Sequence, residues 1–354
     1  PIFKFGGLDR YFADIKEEYI MHLQNITTSG EMNNGSATKD VEHRLEKITG
    51  RKVLLVTSGS VAMNLILCRL NCTKEDEVIT IGYGPPAIVG PITFCGATPK
   101  FVDIDKFGSI NPYQLDQALT TRTKAVIAIG LYGDMYDHDI VYNFCKTNKL
   151  HYINDANQSA FAKYKGIDSL KLGTYTSMGF ADAKPLRTLS TFGAIICNNQ
   201  EEKTIFNRMR KHGKPNRLEP ISGTGLNAWP DEERAIQVKL SLDRFSRWQE
   251  RRQQIANYYN DRLTNLRPSP SYSTWNTHKY AVFFKDKLKT HQQLKDLGVE
   301  SVIHYTESYG GAGYPITDFY VKSALSIPLN PYMTDSEVEK VVEVIKTQEC
   351  IQIP

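Results

Sequence analysis

The chain has 354 residues, of which 41% are hydrophobic and 23% are charged. These proportions are close to those of average folded proteins, so they exclude a disordered, collagen-like or coiled-coil chain. Lys and Arg number 43 and Asp and Glu number 39, and the net charge of +4 is spread along the chain without a basic run. Nucleic acid is therefore not the expected partner, because proteins that bind it concentrate positive charge.

The sequence gives no indication of a membrane or of export. No stretch approaches the roughly 18 apolar residues that span a bilayer. Residues 1–9 also lack the apolar block of a signal peptide. The six cysteines form no CxxC pair and no zinc-ligand spacing, and we expect buried, reduced thiols. The sequence therefore predicts a cytoplasmic protein without a metal site.

Residues 38–200 alternate helical patterns with short apolar runs, which is typical of repeated βα units and a mostly parallel sheet. Helices are expected after Thr38 and after Ser60, where apolar residues recur at helical spacing. The seven predicted strands lie at 53–56, 77–81, 100–104, 125–130, 151–153, 175–180 and 194–197. The predicted fold class is α/β, with a large domain built on a seven-stranded sheet.

The rest of the chain predicts a smaller C-terminal α/β domain. An amphipathic pattern at 231–262, followed by a Pro- and Ser-rich break, predicts a helix that bridges two domains. Strands are predicted at 279–284 and 299–305, and Thr334 and Glu337 fit a capping box at the start of the last helix. The predicted divisions are a segment at 1–30 that packs on either domain, a large domain at 31–230, the bridging helix at 231–262 and a small domain at 263–354.

The first candidate site is Thr57-Ser58-Gly59-Ser60, where a predicted strand gives way to a helix. Free backbone N–H groups, the positive end of the helix dipole and the hydroxyl groups suit a phosphate there. A serine in this position is also commonly no more than a helix N-cap. The motif alone therefore leaves both interpretations open.

The second and third candidates are Asp155 and Lys184, each placed after a predicted strand. Asp155 could keep a ring nitrogen protonated, or it could only cap the following loop. Lys184 has small and apolar neighbours, so burial could lower its pKa and let its amine bond to an aldehyde; alone, it could equally be a surface lysine. Together, a phosphate cradle, a carboxylate and a lysine at successive strand ends meet the requirements of pyridoxal phosphate.

A series of short motifs continues this pattern in order along nearly the whole chain. It includes Thr57-Ser58-Gly59-Ser60, Leu131-Tyr132-Gly133-Asp134, Asp155-Ala156-Asn157-Gln158, Lys184-Pro185-Leu186, Lys211-His212-Gly213, Gly225-Leu226-Asn227 and His304-Tyr305. In these motifs the chain resembles the DegT/StrS-type family of pyridoxal phosphate-dependent nucleotide-sugar aminotransferases, of the fold-type I, aspartate aminotransferase-like superfamily. The resemblance implies transfer of an amino group from an amino acid, with L-glutamate expected, to a nucleotide-linked keto-sugar.

The resemblance also implies roles for individual residues. Lys184 would bond to the cofactor aldehyde and move the α-proton, Asp155 would pair with the pyridine nitrogen, and Gln158 would reach the phenolic oxygen. The implied phosphate ligands are Ser58, Gly59, Ser60 and, from the other subunit of a homodimer with shared active sites, Asn227. His304 and Tyr305 could contact substrate, although such a pair beside a strand is more often structural.

Several positions around the implied cofactor depart from the family pattern. Pro85 stands where a stacking aromatic or His ring is usual, with Tyr83 two residues before it, so either could support the cofactor ring. A family serine is Gly179 here, and Ser177 could replace its hydroxyl. The remaining departures are Gly130, Ser190, Thr191, Phe192 and Trp229.

Two alternatives follow from these departures and from the family. One is a catalytically lapsed member that binds cofactor or sugar nucleotide without turnover. The other is a related sugar 3-dehydratase, in which a histidine replaces the lysine; Lys184 argues against it.

Overall fold

The computed structural model describes residues 3–214 and 223–354. In these residues the α-helices are α1 (Leu8–Ser29), α2 (Ser36–Thr49), α3 (Gly59–Arg69), α4 (Gly90–Phe94), α5 (Leu115–Ala118), α6 (His138–Thr147), α7 (Gln200–Met209), α8 (Glu232–Asn260), α9 (Lys287–Asp296), α10 (Pro315–Ser323) and α11 (Asp335–Lys346). The strands are β1 (Lys52–Val56), β2 (Glu77–Ile81), β3 (Thr98–Val102), β4 (Thr123–Ile129), β5 (His151–Asp155), β6 (Lys163–Tyr164), β7 (Ile167–Asp168), β8 (Tyr175–Gly179), β9 (Gly193–Cys197), β10 (Ser273–Thr274), β11 (Tyr280–Phe283) and β12 (Ala324–Ile327).

Seven strands form the main sheet in the order β1-β9-β8-β5-β4-β2-β3. Strand β9 is antiparallel to both of its neighbours, and the other pairs are parallel. Strand β9 runs backwards because the chain returns from β8 through a loop at 180–192 rather than through a crossover helix. All seven predicted strands are present, and the predicted α/β fold class is confirmed.

The central strands are buried on both faces, as is usual when helices cover a parallel sheet. Every residue of β2, β8 and β9 is buried. Helix α2 is also fixed at its start by α8, because the buried Glu232 carboxylate accepts hydrogen bonds from the Gly35 backbone N–H at 2.8 Å and from the Thr38 hydroxyl at 2.7 Å. The long helix therefore anchors the first helix of the sheet domain.

The N-terminal segment packs on the side of the main sheet. The buried face of α1 includes Tyr11, Ile15 and Tyr19, which join a core that α8 and residues of β1, β8 and β9 also share. The Tyr11 hydroxyl donates to the Arg187 carbonyl at 3.1 Å, within the loop between β8 and β9. Helix α1 thereby binds the loop between β8 and β9.

The C-terminal part contains an antiparallel pair, β11 and β12, with α9, α10 and α11 around it. The predicted strand at 279–284 is present, and the capping box of Thr334 and Glu337 is confirmed. The strand predicted at 299–305 is wrong, because this segment pairs only through isolated bridges, such as Val302 with Ser326. Strand β12 pairs with β11 along four residues, whereas the segment 299–305 contacts the edge of β12 through a single bridge.

No described helix is both long enough and apolar enough to traverse a bilayer. The six cysteines are free thiols; Cys72, Cys145 and Cys197 are buried, and the others are partly exposed. The predicted domain limits and the cytoplasmic location stay predictions.

Candidate active site

Asp155 is the last residue of β5, and Lys184 lies in the loop that follows the neighbouring strand β8. The two strands are parallel, with Asp155 opposite Ser177. The carboxyl ends of adjacent parallel strands share one edge of the sheet, which is where α/β folds collect ligands. The topology therefore brings together residues that are about thirty positions apart in the sequence.

Asp155 is buried, and from the described residues only its Oδ1 oxygen accepts hydrogen bonds. The backbone N–H and the side-chain amide of Asn157 donate to Oδ1 at 2.9 and 2.6 Å. No hydrogen bond from the described residues reaches Oδ2. Burial raises the pKa of Asp155, while the bonds from Asn157 and the charge of Lys184 oppose that rise. The free oxygen suits a proton held on a ring nitrogen.

The Lys184 amine makes no hydrogen bond in the described parts of the chain, and its side chain is partly exposed. Burial of the amine lowers the pKa of Lys184 to about 8, although the charges of Asp155 and Asp182 oppose the shift. A much larger fraction of such an amine is neutral near pH 7 than of an ordinary lysine. The environment of Lys184 therefore favours its use as a nucleophile and base.

This pKa predicts how the cofactor-free protein reacts with added pyridoxal phosphate. Only the neutral amine attacks an aldehyde, so the rate of colour formation should rise about tenfold per pH unit below pH 8 and then level off. Stopped-flow absorbance measures this rate, with N-acetyl-lysine methyl ester as a control whose rate keeps rising toward pH ~10. A protein profile that also climbs without a plateau to pH ~10 would contradict the lowered pKa.

The turn before α3 is partly committed to the helix itself. The Ser58 hydroxyl accepts from the Val61 backbone N–H at 3.1 Å, so Ser58 is the N-cap of α3, which begins at Gly59 rather than after Ser60. The N–H groups of Gly59 and Ser60 belong to the first turn, which has no intrahelical acceptors for them. Their backbone and the Ser60 hydroxyl can hold a phosphate; the part predicted for the Ser58 hydroxyl competes with its capping bond.

Asn157 fills the space between the α3 turn and β8, which the sequence analysis did not anticipate. A Cβ atom on Gly59 or on Gly179 would lie 2.4 or 2.3 Å from Asn157 Oδ1, so this placement requires both glycines. The Asn157 amide also donates to the Ser177 hydroxyl at 3.1 Å. Gly179 and Asn157 thus form a matched pair, and Ser177 contacts the amide that also binds Asp155. The sequence signal was the position of Asn157 within the Asp155 motif.

Gln158 faces a different group of side chains from Asn157. Its amide donates to the Tyr305 hydroxyl at 2.8 Å, and its oxygen accepts from the Tyr132 backbone N–H at 3.0 Å. The structure thereby joins Gln158 to the His304-Tyr305 pair named as a weak substrate candidate. The role of Gln158 toward the phenolic oxygen stays a prediction.

Of the two residues suggested for ring support, Tyr83 is buried and Pro85 is partly exposed. Tyr83 is held in an aromatic cluster: its hydroxyl lies 2.6 Å from that of Tyr132, and its ring is edge-on to Tyr305 at 4.9 Å. A stacked cofactor would have to compete with these contacts at Tyr83, which favours Pro85 as the support. Ring support by Pro85 stays a prediction.

Asn227 is exposed. Its backbone pairs with that of Lys211 in an isolated bridge. Gly225 allows this close approach, because a Cβ there would lie 2.2 Å from the Gly213 nitrogen. Trp229, at the position of a family arginine, lies under the Lys211 amine at 4.9 Å. An exposed Asn227 fits a role toward a second subunit, which stays a prediction.

The remaining departures have structural neighbours. Phe192 is buried against Phe180, with ring centroids 6.1 Å apart. The Ser190 carbonyl accepts a hydrogen bond from the Thr188 hydroxyl. The loop at 180–192 is therefore packed by an apolar contact at its return to β9.

Three further side chains lie beside Lys184. His278 and Lys279 are buried and were not identified from the sequence, whereas the substrate candidate His304 is partly buried. The Lys279 amine lies 3.5 Å from His304 Nδ1. A single lysine ahead of a strand carries no sequence signal, because such a lysine is usually solvated.

These residues fit pyridoxal phosphate as a donor and acceptor set. Among the described residues, the Lys184 amine and Asp155 Oδ2 make no hydrogen bond, and the first turn of α3 offers the backbone N–H groups of Gly59 and Ser60. The three functions lie at one edge of the sheet. The site can therefore hold a phosphorylated pyridine aldehyde covalently at Lys184.

Comparison with known proteins agrees with this chemistry. The DegT/DnrJ/EryC1/StrS aminotransferase family matches residues 13–346. The UDP-2-acetamido-2-deoxy-3-oxo-D-glucuronate aminotransferase of Pseudomonas aeruginosa is 28% identical over 350 residues, covering 95% of this chain and 97% of its own. The dTDP-3-amino-3,6-dideoxy-alpha-D-galactopyranose transaminase of Aneurinibacillus thermoaerophilus is 27% identical, covering 95% of each chain.

A solved structure shows the same fold. The PLP form of the putative sugar aminotransferase Spr1654 of Streptococcus pneumoniae has a TM-score of 0.86 at 24% identity and covers 94% of this chain and 95% of its own. This likeness confirms the predicted fold class, and the family match confirms the predictions of family, enzyme class and pyridoxal phosphate cofactor. The match over almost the full length establishes that the chain belongs to the DegT/DnrJ/EryC1/StrS aminotransferase family.

Proposed function

We propose that this enzyme transfers the amino group of an amino acid, with L-glutamate as the expected donor, to the ketone of a nucleotide-linked sugar. The observation that carries the proposal is that the Lys184 amine, which makes no hydrogen bond to the described residues, feels the charge of buried Asp155 at the same sheet edge. The two relatives named above are, by their names, enzymes of UDP- and dTDP-linked sugars. Their names support the class of acceptor.

Pyridoxal phosphate, when bound, supplies an aldehyde and a ring that can accept an electron pair. The chain's own groups then have separate tasks. Lys184 would hold the aldehyde, and its neutral amine, once free, would take the α-proton of the donor. Asp155 would keep a proton on the ring nitrogen through Oδ2, while Asn157 holds Oδ1 in place. Lys184 would return a proton when the sugar ketone receives the amino group.

Colour and mass test this function directly. The purified protein should be yellow, bleach on addition of L-glutamate, and regain colour with a keto-sugar nucleotide that it accepts. A panel of such nucleotides, with the mass of the aminated product as readout, identifies the acceptor. A colourless protein that remains colourless with added pyridoxal phosphate would favour the lapsed alternative, and loss of a sugar hydroxyl without a gain of nitrogen would favour the dehydratase.

We further propose that the active protein is a homodimer in which Asn227 completes the partner's phosphate site. An isologous interface presents the same patch twice, so one interface completes two sites. Lys184→Ala and Asn227→Ala proteins should each be weak or inactive as pure dimers. Mixed dimers should regain activity, because one of their two sites then has both residues intact.

The control is subunit exchange between two samples of Lys184→Ala under the same conditions, which should restore no activity. Subunit exchange is verified by sizing and by native mass spectrometry of differently tagged chains. Mixed dimers that form without any gain in activity, or a fully active monomer, would refute the shared site.

A further inference from the structure

Three nitrogen-bearing side chains without a role in the proposed chemistry lie beside Lys184. Lys279 is 8% exposed, and its amine contacts His304 Nδ1 at 3.5 Å. The Nε2 atoms of His278 and His304 are buried and have no hydrogen-bond partner among the described residues. Buried polar atoms of this kind usually have partners, so their grouping indicates a ligand that the protein itself does not supply.

No described carboxylate forms an ion pair with this group. Burial lowers the pKa of Lys279 well below its ordinary value, and the charge of Lys184 lowers it further. Burial also lowers the pKa of His304, and the charges of Lys279 and Lys184 add to that effect. An unpaired buried cation is unfavourable, and an anion placed among these groups would remove that cost.

The contacts around the group separate it from the proposed phosphate cradle. The Lys279 amine lies 6.0 Å from the ring centre of Tyr305, whose hydroxyl binds Gln158. Asn157, the preceding residue, lies against Gly59 at the start of α3. Asn157 and Gln158 thus contact different parts of the site, and Lys279 lies on the side of Gln158, because both residues neighbour Tyr305. The cofactor phosphate at α3 therefore does not account for Lys279.

We propose that Lys279 and His304 form a pocket that binds a carboxylate of the substrate next to Lys184. The ammonium of Lys279 and an imidazole N–H are donors close enough to serve the two oxygens of one carboxylate, and such charge-assisted bonds are the strong ones. This inference rests on the proposed function, and it specifies what the substrate must carry. The carboxylate can come from the amino donor or from an acidic sugar.

Equilibrium binding to the holoenzyme tests the pocket without turnover. The probes are glutarate for the donor, with uncharged glutaramide as its match, and UDP-glucuronic acid for the acceptor, with UDP-glucose as its match. Calorimetry compares the parent protein with Lys279→Met and Lys279→Arg. We expect Lys279→Met to lower the affinity for one acidic probe by roughly tenfold or more and to change the affinity for its neutral match by less than about twofold. Lys279→Arg should retain most of the affinity for the acidic probe.

The donor and acceptor probe pairs identify the source of the carboxylate. A selective loss for glutarate assigns the pocket to the donor, and one for UDP-glucuronic acid assigns it to the acceptor. Equal affinity of parent and Lys279→Met for both acidic probes would overturn the inference, as would equal losses for acidic and neutral probes. If Lys279→Met does not fold, the parent alone decides, because it must prefer one acidic probe over its neutral match by roughly tenfold.

Failure of this inference is distinguishable from failure of the proposed function. A yellow protein that glutamate bleaches, with both acidic probes insensitive to Lys279, keeps the transferase and removes the pocket. A protein that never takes up pyridoxal phosphate but still binds an acidic probe through Lys279 keeps the pocket and removes the transferase.

Discussion

Replacing Lys184 with methionine is expected to abolish transamination and, at the same time, to stabilise the cofactor-free protein. Activity is lost because no other described side chain combines an unbonded amine with the neighbouring Asp155 carboxylate. Stability rises because the native state holds this amine at a pKa of about 8, against an ordinary value of 10.5. A group held at a lowered pKa penalises folding whenever it must carry its proton.

The sign of this effect fixes its pH dependence. Below pH 8 both states bind the proton, so the native protein bears the full penalty, which we place at roughly 2 kcal/mol after allowing for the partly exposed side chain. Between pH 8 and 10.5 the unfolded chain binds more protons, and the parent regains this stability as the pH rises. The gain of Lys184→Met should therefore be largest below pH 8 and vanish near pH 10.5.

Thermal unfolding of the cofactor-free proteins at several pH values measures this gain. Lys39→Met is the matched control, because Lys39 is exposed and forms no ion pair among the described residues. Its unfolding temperature should follow that of the parent. Residual turnover by Lys184→Met, or a loss of stability at pH ~7, would contradict the environment described for this amine.

Replacing Asp155 with asparagine should leave the fold intact and slow transamination by about two decades or more, each decade corresponding to about 1.4 kcal/mol of barrier. The amide keeps the shape of the side chain but not its charge, so a proton on the cofactor's ring nitrogen loses its stabilising partner. The ring then accepts the electron pair less readily. Circular dichroism checks the fold, and single-turnover bleaching with glutamate measures the chemical step.

Asp182→Asn provides the control for Asp155→Asn. Asp182 is exposed, and its charge also acts on Lys184. The substitution therefore removes a carboxylate near Lys184 but leaves Asp155 unchanged. We expect its rate to stay within a few-fold of the parent, because an exposed charge is screened by water. A parental rate in Asp155→Asn, or an equal loss in both variants, would show that Asp155 does not act through its charge on the ring.

The main sheet was predictable because each of its strands is a short apolar run between helical patterns. The segment at 299–305 showed a similar run, but it forms only isolated bridges. Local sequence could not distinguish them, because the segment meets β12 only through the bridge between Val302 and Ser326, whereas β12 pairs along four residues with β11. How far a segment runs beside a distant strand is a property of the tertiary structure.

The site was predictable where its residues follow strands of the main sheet, as Asp155 and Lys184 do. Lys279 and His278 precede β11 in the other part of the chain, and only the packing of the two parts brings them beside Lys184. The pairing of Asn157 with Gly179 was hidden for a similar reason, since a departure at one position is matched by a side chain from another strand. Gly179 alone indicated only a missing hydroxyl.

The most direct test of the account is to locate the cofactor on the chain. Borohydride reduction of the yellow holoenzyme, followed by proteolysis and mass spectrometry, should place the pyridoxyl group on the peptide that contains Lys184. Lys184→Met should give no labelled peptide under the same treatment. A pyridoxyl group on Lys279 or any other lysine, or no labelled peptide from a yellow parent protein, would contradict the assignment of Lys184.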